Sequence, residues 1–106
     1  MRVRYRPEAV AGLEEIFRFV LRVSRSRITA ERFVTRILAR CRRIGDLPFG
    51  GRARDDIAPG LRTVPLEHRA VIAYMVEVDS VRILNVFYGG RDYASLYRRE
   101  DDDAGC

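Results

Sequence analysis

The stretch Arg69-Ala70-Val71-Ile72-Ala73-Tyr74-Met75-Val76-Glu77-Val78-Asp79-Ser80-Val81-Arg82-Ile83-Leu84-Asn85-Val86-Phe87-Tyr88 decides the fold. Two runs rich in Val, Ile and Tyr flank Asp79-Ser80, a pair short enough for a tight hairpin turn. By the two-residue alternation of a strand, Ile72, Tyr74, Val76 and Val78 share one face, and Val71, Ala73 and Met75 share the other. Both faces are apolar, so this strand belongs at the centre of a sheet.

Upstream, residues 61–66 form another β-rich run. Before it, residues 46–60 change character: Pro48, Gly50, Gly51, Pro59 and Gly60 punctuate a polar stretch that reads as a long loop carrying Arg52 and Arg54. Further back the period changes. Val10, Leu13, Ile16, Phe17, Val20 and Leu21 recur at helical spacing after Pro7 and Glu8, both suited to a helix start. A second apolar face, Phe33, Ile37, Leu38, Cys41 and Ile44, follows a Thr29 N-cap and stops at Gly45. Residues 2–5 alternate as a short first strand, and residues 91–99 fit a short C-terminal helical segment. The order is β-α-α-β-β-β. It predicts an α+β fold with a helical hairpin on one face of a small antiparallel sheet, the other face partly open.

The chain of 106 residues has room for one domain, assigned to residues 1–99, with residues 100–106 an acidic disordered tail. All 20 basic residues are Arg. The tail holds four of the 15 acids, so residues 1–99 carry 20 Arg against 11 acids, a formal +9. A GC-rich coding bias accounts for Arg in place of Lys but leaves the positive field, which suits an anionic partner. The absence of Lys excludes phosphate-loop nucleotidases and Schiff-base enzymes. Cys41, Cys106 and His68 are one ligand short of a structural zinc site, and no cofactor is expected. Two cysteines without a disulfide framework, and no apolar run of membrane-spanning length, lead us to expect a cytoplasmic protein. Cys41 lies on an apolar helical face as a structural thiol, and His68 reads as an exposed residue at a strand entry.

Arg32, Arg36, Arg40 and Arg43 line one side of the second helix, as a phosphate-tracking stripe or as its solvated face. A sharper set is Arg62, Arg69, Arg91 and Tyr97, placed on the sheet and the segment after it. Arginines holding a phosphate beside a tyrosine on a ribose 2′-hydroxyl would cleave RNA without metal. The other reading pairs these arginines with Asp55, Asp56 or Asp92 around a loop.

From residue 3 to residue 96 the chain resembles the RelE/ParE superfamily of bacterial toxins from type II toxin–antitoxin modules. The resemblance rests on the hairpin, the loop Leu47-Pro48-Phe49-Gly50-Gly51-Arg52, the strand Gly60-Leu61-Arg62, the strand with Tyr74, and the ending Ile83-Leu84-Asn85-Val86-Phe87-Tyr88-Gly89-Gly90-Arg91-Asp92. The Pro-x-Gly-Gly-Arg loop followed by Gly-Leu-Arg is similar to the ParE branch. That branch implies a toxin that inhibits DNA gyrase without catalysis and is neutralised by a cognate antitoxin. The RelE branch implies messenger RNA cleavage on the ribosome by basic residues and a tyrosine, falling here on Arg62, Arg69, Arg91 and Tyr97. A non-toxic, degenerate member is the third option. Many ParE relatives have a His before the Gly-x-Arg-Asp ending, where this chain has Tyr88, which removes a histidine-based cleavage variant and favours gyrase. For the antitoxin, Phe19, Val20 and Val23 overflow the buried face of the first helix; they fit a docking surface or a cover over the hairpin crossing.

Overall fold

The structure, a computed structural model, describes residues 1–88. Residues 89–106, including the helical segment expected over 91–99, the acidic tail, Arg91 and Tyr97, lie outside the described residues. The elements are β1 (Arg2–Tyr5), α1 (Pro7–Ser24), α2 (Arg27–Asp46), β2 (Arg52–Ala53), β3 (Arg62–Leu66), β4 (Ala70–Val76) and β5 (Ser80–Tyr88). They form one sheet in the order β1-β5-β4-β3-β2, with the helical hairpin on one face. The α+β architecture is as expected, and β4 is the middle strand.

The helices start and stop for local reasons. Pro7 fixes the first turn of α1 at little cost, because its missing N–H would be unpaired there in any case. Arg25 ends α1 in the left-handed region, φ 55°, and returns its N–H to the carbonyl of Leu21 at 2.8 Å. The cap of α2 is Ser26 rather than Thr29: the Ser26 hydroxyl accepts from the Thr29 amide at 3.2 Å. Nor does Gly45 stop α2, which runs on to Asp46. Gly45 is there for space. A Cβ at that position would lie 2.7 Å from the Met1 carbonyl oxygen and 2.8 Å from Val3 Cγ2, so only glycine lets the chain start cross the end of α2.

Within the sheet, β2 to β5 pair antiparallel, while β1 runs parallel to β5 with Val3 beside Val81. The sheet is therefore mixed, because β1 reaches its place through a crossover over the helices rather than through a hairpin. Ile72, Tyr74 and Val76 face the helices, packing with Ile16, Phe33, Ile37, Cys41, Val81, Ile83 and Val86. Val78 does not continue that face. It is 99% exposed in the turn closed by Glu77 N–H to the Ser80 carbonyl, so the corner sits one residue earlier than Asp79-Ser80 suggests. A register shift opposite Ala73 and Tyr74 makes Leu84 an extra residue in β5. On the far face the long loop folds back: Ile57 and Leu61 bury against Ala73, with Leu84 and Phe87 alongside. Part of the face expected to be open is thus covered by the protein's own loop, which also contributes the two-residue strand β2.

Candidate functional site

The turn Leu47–Gly51 leaves α2 and is held by two side chains from the sheet. Tyr74, fully buried, donates its hydroxyl to the Pro48 carbonyl at 2.8 Å and accepts from the Gly51 amide at 3.0 Å. Arg62, paired beside Tyr74 on β3, donates from Nη1 to the carbonyls of Phe49 at 3.1 Å and Gly51 at 2.9 Å. Its guanidinium carbon lies 5.1 Å from the centroid of the Phe49 ring, within cation–π range. Gly51 is required, since a Cβ there would collide with the Tyr74 ring and hydroxyl. The result is a rigid turn that holds Leu47 and Phe49 out to solvent, 75% and 64% exposed.

Arg69 belongs to a different neighbourhood. It follows the corner between β3 and β4, whose central residues Glu67 and His68 both adopt left-handed φ of 52° and 56°, as the tightest hairpin turns require. Arg36 of α2 reaches over to this corner, donating Nε to Glu67 Oε2 at 2.6 Å and Nη2 to Oε1 at 3.1 Å. That bidentate bond holds the Glu67 carboxyl below its usual range, with a smaller contribution from Arg69. His68 is an exposed corner residue. Arg62 and Arg69 thus stand at opposite ends of β3: the four residue steps from Arg62 to Leu66 alone span roughly 13 Å. The structure does not bring them together, and Arg91 and Tyr97 fall outside the described residues. Of the arginine row on α2, Arg36 is engaged at this corner, while Arg40 is half-buried and Arg32 and Arg43 are exposed.

A second apolar patch lies at the far end of α1. Phe19 is 40% exposed and Val23 68%, whereas Val20 packs partly into the core. The Phe19 ring meets Tyr88 at 5.1 Å, Tyr88 meets Phe33 edge-on at 5.5 Å, and Arg22 stands over the outer face of Phe19. Beside this patch, between α1 and β5, runs a groove of about 880 Å³ lined by Gly12, Phe19, Val86 and Tyr88 and edged by Glu8, Glu15, Arg18 and Arg22. Its floor is apolar because Gly12 lets β5 approach α1: a Cβ there would sit 3.0 Å from the Val86 carbonyl oxygen.

Cys41 is buried in the main core. Burial pushes its thiol up from 9.0 to about 11, against a hydrogen bond with Tyr5 that pulls it down. A protonated, enclosed thiol is inert, in keeping with a structural residue. Among the described residues no group of three or more His, Cys, Asp or Glu is placed to hold a metal ion. No helix among them is long and apolar enough to cross a membrane.

The family model for the ParE toxin of the type II toxin–antitoxin system parDE matches residues 3–93. The chain belongs to the ParE toxin family. No curated protein matches this ParE-family chain in sequence. Among solved structures, it is similar to the chromosomal ParDE toxin–antitoxin system from P. aeruginosa, with a TM-score of 0.73 and 22% identity over 83% of this chain and 95% of the other. At that identity the likeness is one of fold.

Sequence reasoning missed the turn as a displayed surface. The signal was there: in residues 46–52, Leu47 and Phe49 are large apolar residues among Gly, Pro and charged residues. It placed Tyr74 on an apolar strand face, and Arg62 either on a phosphate or in an ion pair around a loop; in the structure both side chains hydrogen-bond this turn.

Proposed function

We propose that this ParE-family toxin acts by binding DNA gyrase, without chemistry of its own, and that a cognate antitoxin neutralises it. The reading is supported above all by the state of Arg62. Its Nη1 is committed to two turn carbonyls, and Arg69 stands past the other end of the strand, beside the Glu67 corner. Metal-free RNA cleavage needs several cations on one phosphate. Arg62 serves instead to shape the turn that displays Leu47 and Phe49.

Neutralisation fits the charge and the patch on α1. A body of formal +9 draws in an acidic, partly disordered antitoxin segment, which gains its ordering energy by burying Phe19 and Val23. The test is to express the chain without its antitoxin and to assay the purified protein against gyrase. Loss of supercoiling activity together with gyrase-linked DNA breaks is expected. Codon-phased messenger cuts, abolished by Tyr97→Phe, with gyrase untouched, would replace this reading by the RelE-like ribonuclease.

A further inference from the structure

Among the described residues, none covers the exposed pair Leu47 and Phe49. The turn spends the buried hydroxyl of Tyr74, two carbonyl bonds from Arg62 and an obligatory Gly51 on holding two large apolar side chains in water. Folding alone favours the opposite outcome, with such side chains turned inward. A rigid display of this kind lowers the entropy lost on association, and an aromatic side chain backed by a guanidinium is the usual chemistry of an interface anchor. Positive groups stand close by: Arg43 and Arg52 flank the turn in sequence and are exposed, and Arg62 backs the ring, with Asp46 the acid adjoining Leu47.

The pair is also remote from the patch on α1. Phe19 and Val23 lie near the joint between the helices, whereas Leu47 lies just past the other end of α2, whose 20 residues extend about 30 Å. One apolar patch can be covered while the other stays free.

We infer that Leu47 and Phe49 are the toxin's anchor on its target, seated in an apolar socket rimmed by carboxylates on DNA gyrase. The identity of the target rests on the proposed function. The partner is a protein and not a nucleic acid, because the branched aliphatic Leu47 has no flat face to stack a base and fills an apolar socket beside the ring.

The test uses the full chain, purified gyrase without DNA for binding, and a supercoiling assay for inhibition. Leu47→Ser and Phe49→Ala should each weaken binding and inhibition by roughly 30-fold or more, as expected of interface anchors. Phe49→Leu should lose only a few-fold, and Val78→Ala, at a still more exposed apolar position on the β4–β5 turn, should lose nothing. An unshifted Gly51 amide exchange rate in each variant shows that the turn is intact. If the wild-type chain inhibits gyrase and Phe49→Ala inhibits it equally, the inference is overturned while the proposed function stands. If the wild-type chain does not act on gyrase, both fall together. If the wild-type chain self-associates and Phe49→Ala turns it monomeric, the pair contacts a second copy and the inference is again overturned.

Discussion

Replacing Tyr74 by Phe removes one oxygen from the centre of the structure, and its cost can be worked out from the bonds it makes. The hydroxyl joins the Pro48 carbonyl and the Gly51 amide, at 2.8 and 3.0 Å. Both partners are half-buried, so water recovers them only in part. Two neutral hydrogen bonds contribute about 1 kcal/mol each, so Tyr74→Phe should destabilise by roughly 1–3 kcal/mol. The ring stays in place, so no large cavity adds to this. For a domain of this size that lowers the melting temperature by about 4–8 °C per kcal/mol. Urea unfolding followed by circular dichroism gives the free energy, and hydrogen exchange gives the location. The Gly51 amide should exchange much faster in the variant, while the β4–β5 ladder stays protected. Arg62→Ala should expose the same amide, and the double variant should fall short of the sum, since both side chains hold one turn. A Tyr74→Phe protein of unchanged stability and unchanged Gly51 exchange would refute the account of the turn as braced from the sheet.

Gly45→Ala should destabilise, although Ala is better than Gly by about 1 kcal/mol inside an ordinary helix. The added methyl would crowd the Met1 carbonyl and Val3, and moving β1 away is expected to cost a net 1–3 kcal/mol or so, read as a lower melting temperature. Alkali should expose the buried thiol. Cys41 ionises near 9.0 when unfolded but only near 11 when folded, so stability is level below pH 9 and then falls by about 1.4 kcal/mol per pH unit, reaching ~2–3 kcal/mol by pH 11. Tyr5, pushed up from 10.0 to about 12 by burial and by Cys41, adds to the fall above pH 10. Urea midpoints from pH 7 to 11 should flatten over the lower part of this window in Cys41→Val; an identical slope there would assign the fall to other groups.

The architecture was readable because its periods are clean. Ile16 in α1, then Phe33, Ile37, Cys41 and Ile44 in α2, are buried on the faces that their helical spacing marks, and Ile72 and Tyr74 keep the alternation of a central strand. What could not be read depends on contacts between distant residues. Gly45 looks like a helix stop because the clash that requires glycine comes from Met1 and Val3, more than forty residues away. The parallel run of β1 beside β5 leaves no trace in a four-residue alternation. Arg62 shows why the candidate site was harder still. A guanidinium that holds a phosphate and one that holds two carbonyls look the same in sequence, and the two carbonyls that Arg62 holds belong to residues 11 and 13 positions earlier.

The two borders of the sheet have a bearing on how the molecule behaves at high concentration. A bare strand margin invites a second chain to extend the ladder, the first step toward fibrous aggregates. Here one margin is β1, four residues long with exposed Arg2 and Arg4, and the other is β2, only two residues including exposed Arg52. Joining either border to its own copy would place like charges in neighbouring rows. The protein's defence against stacking is therefore electrostatic, and it will weaken as salt is added.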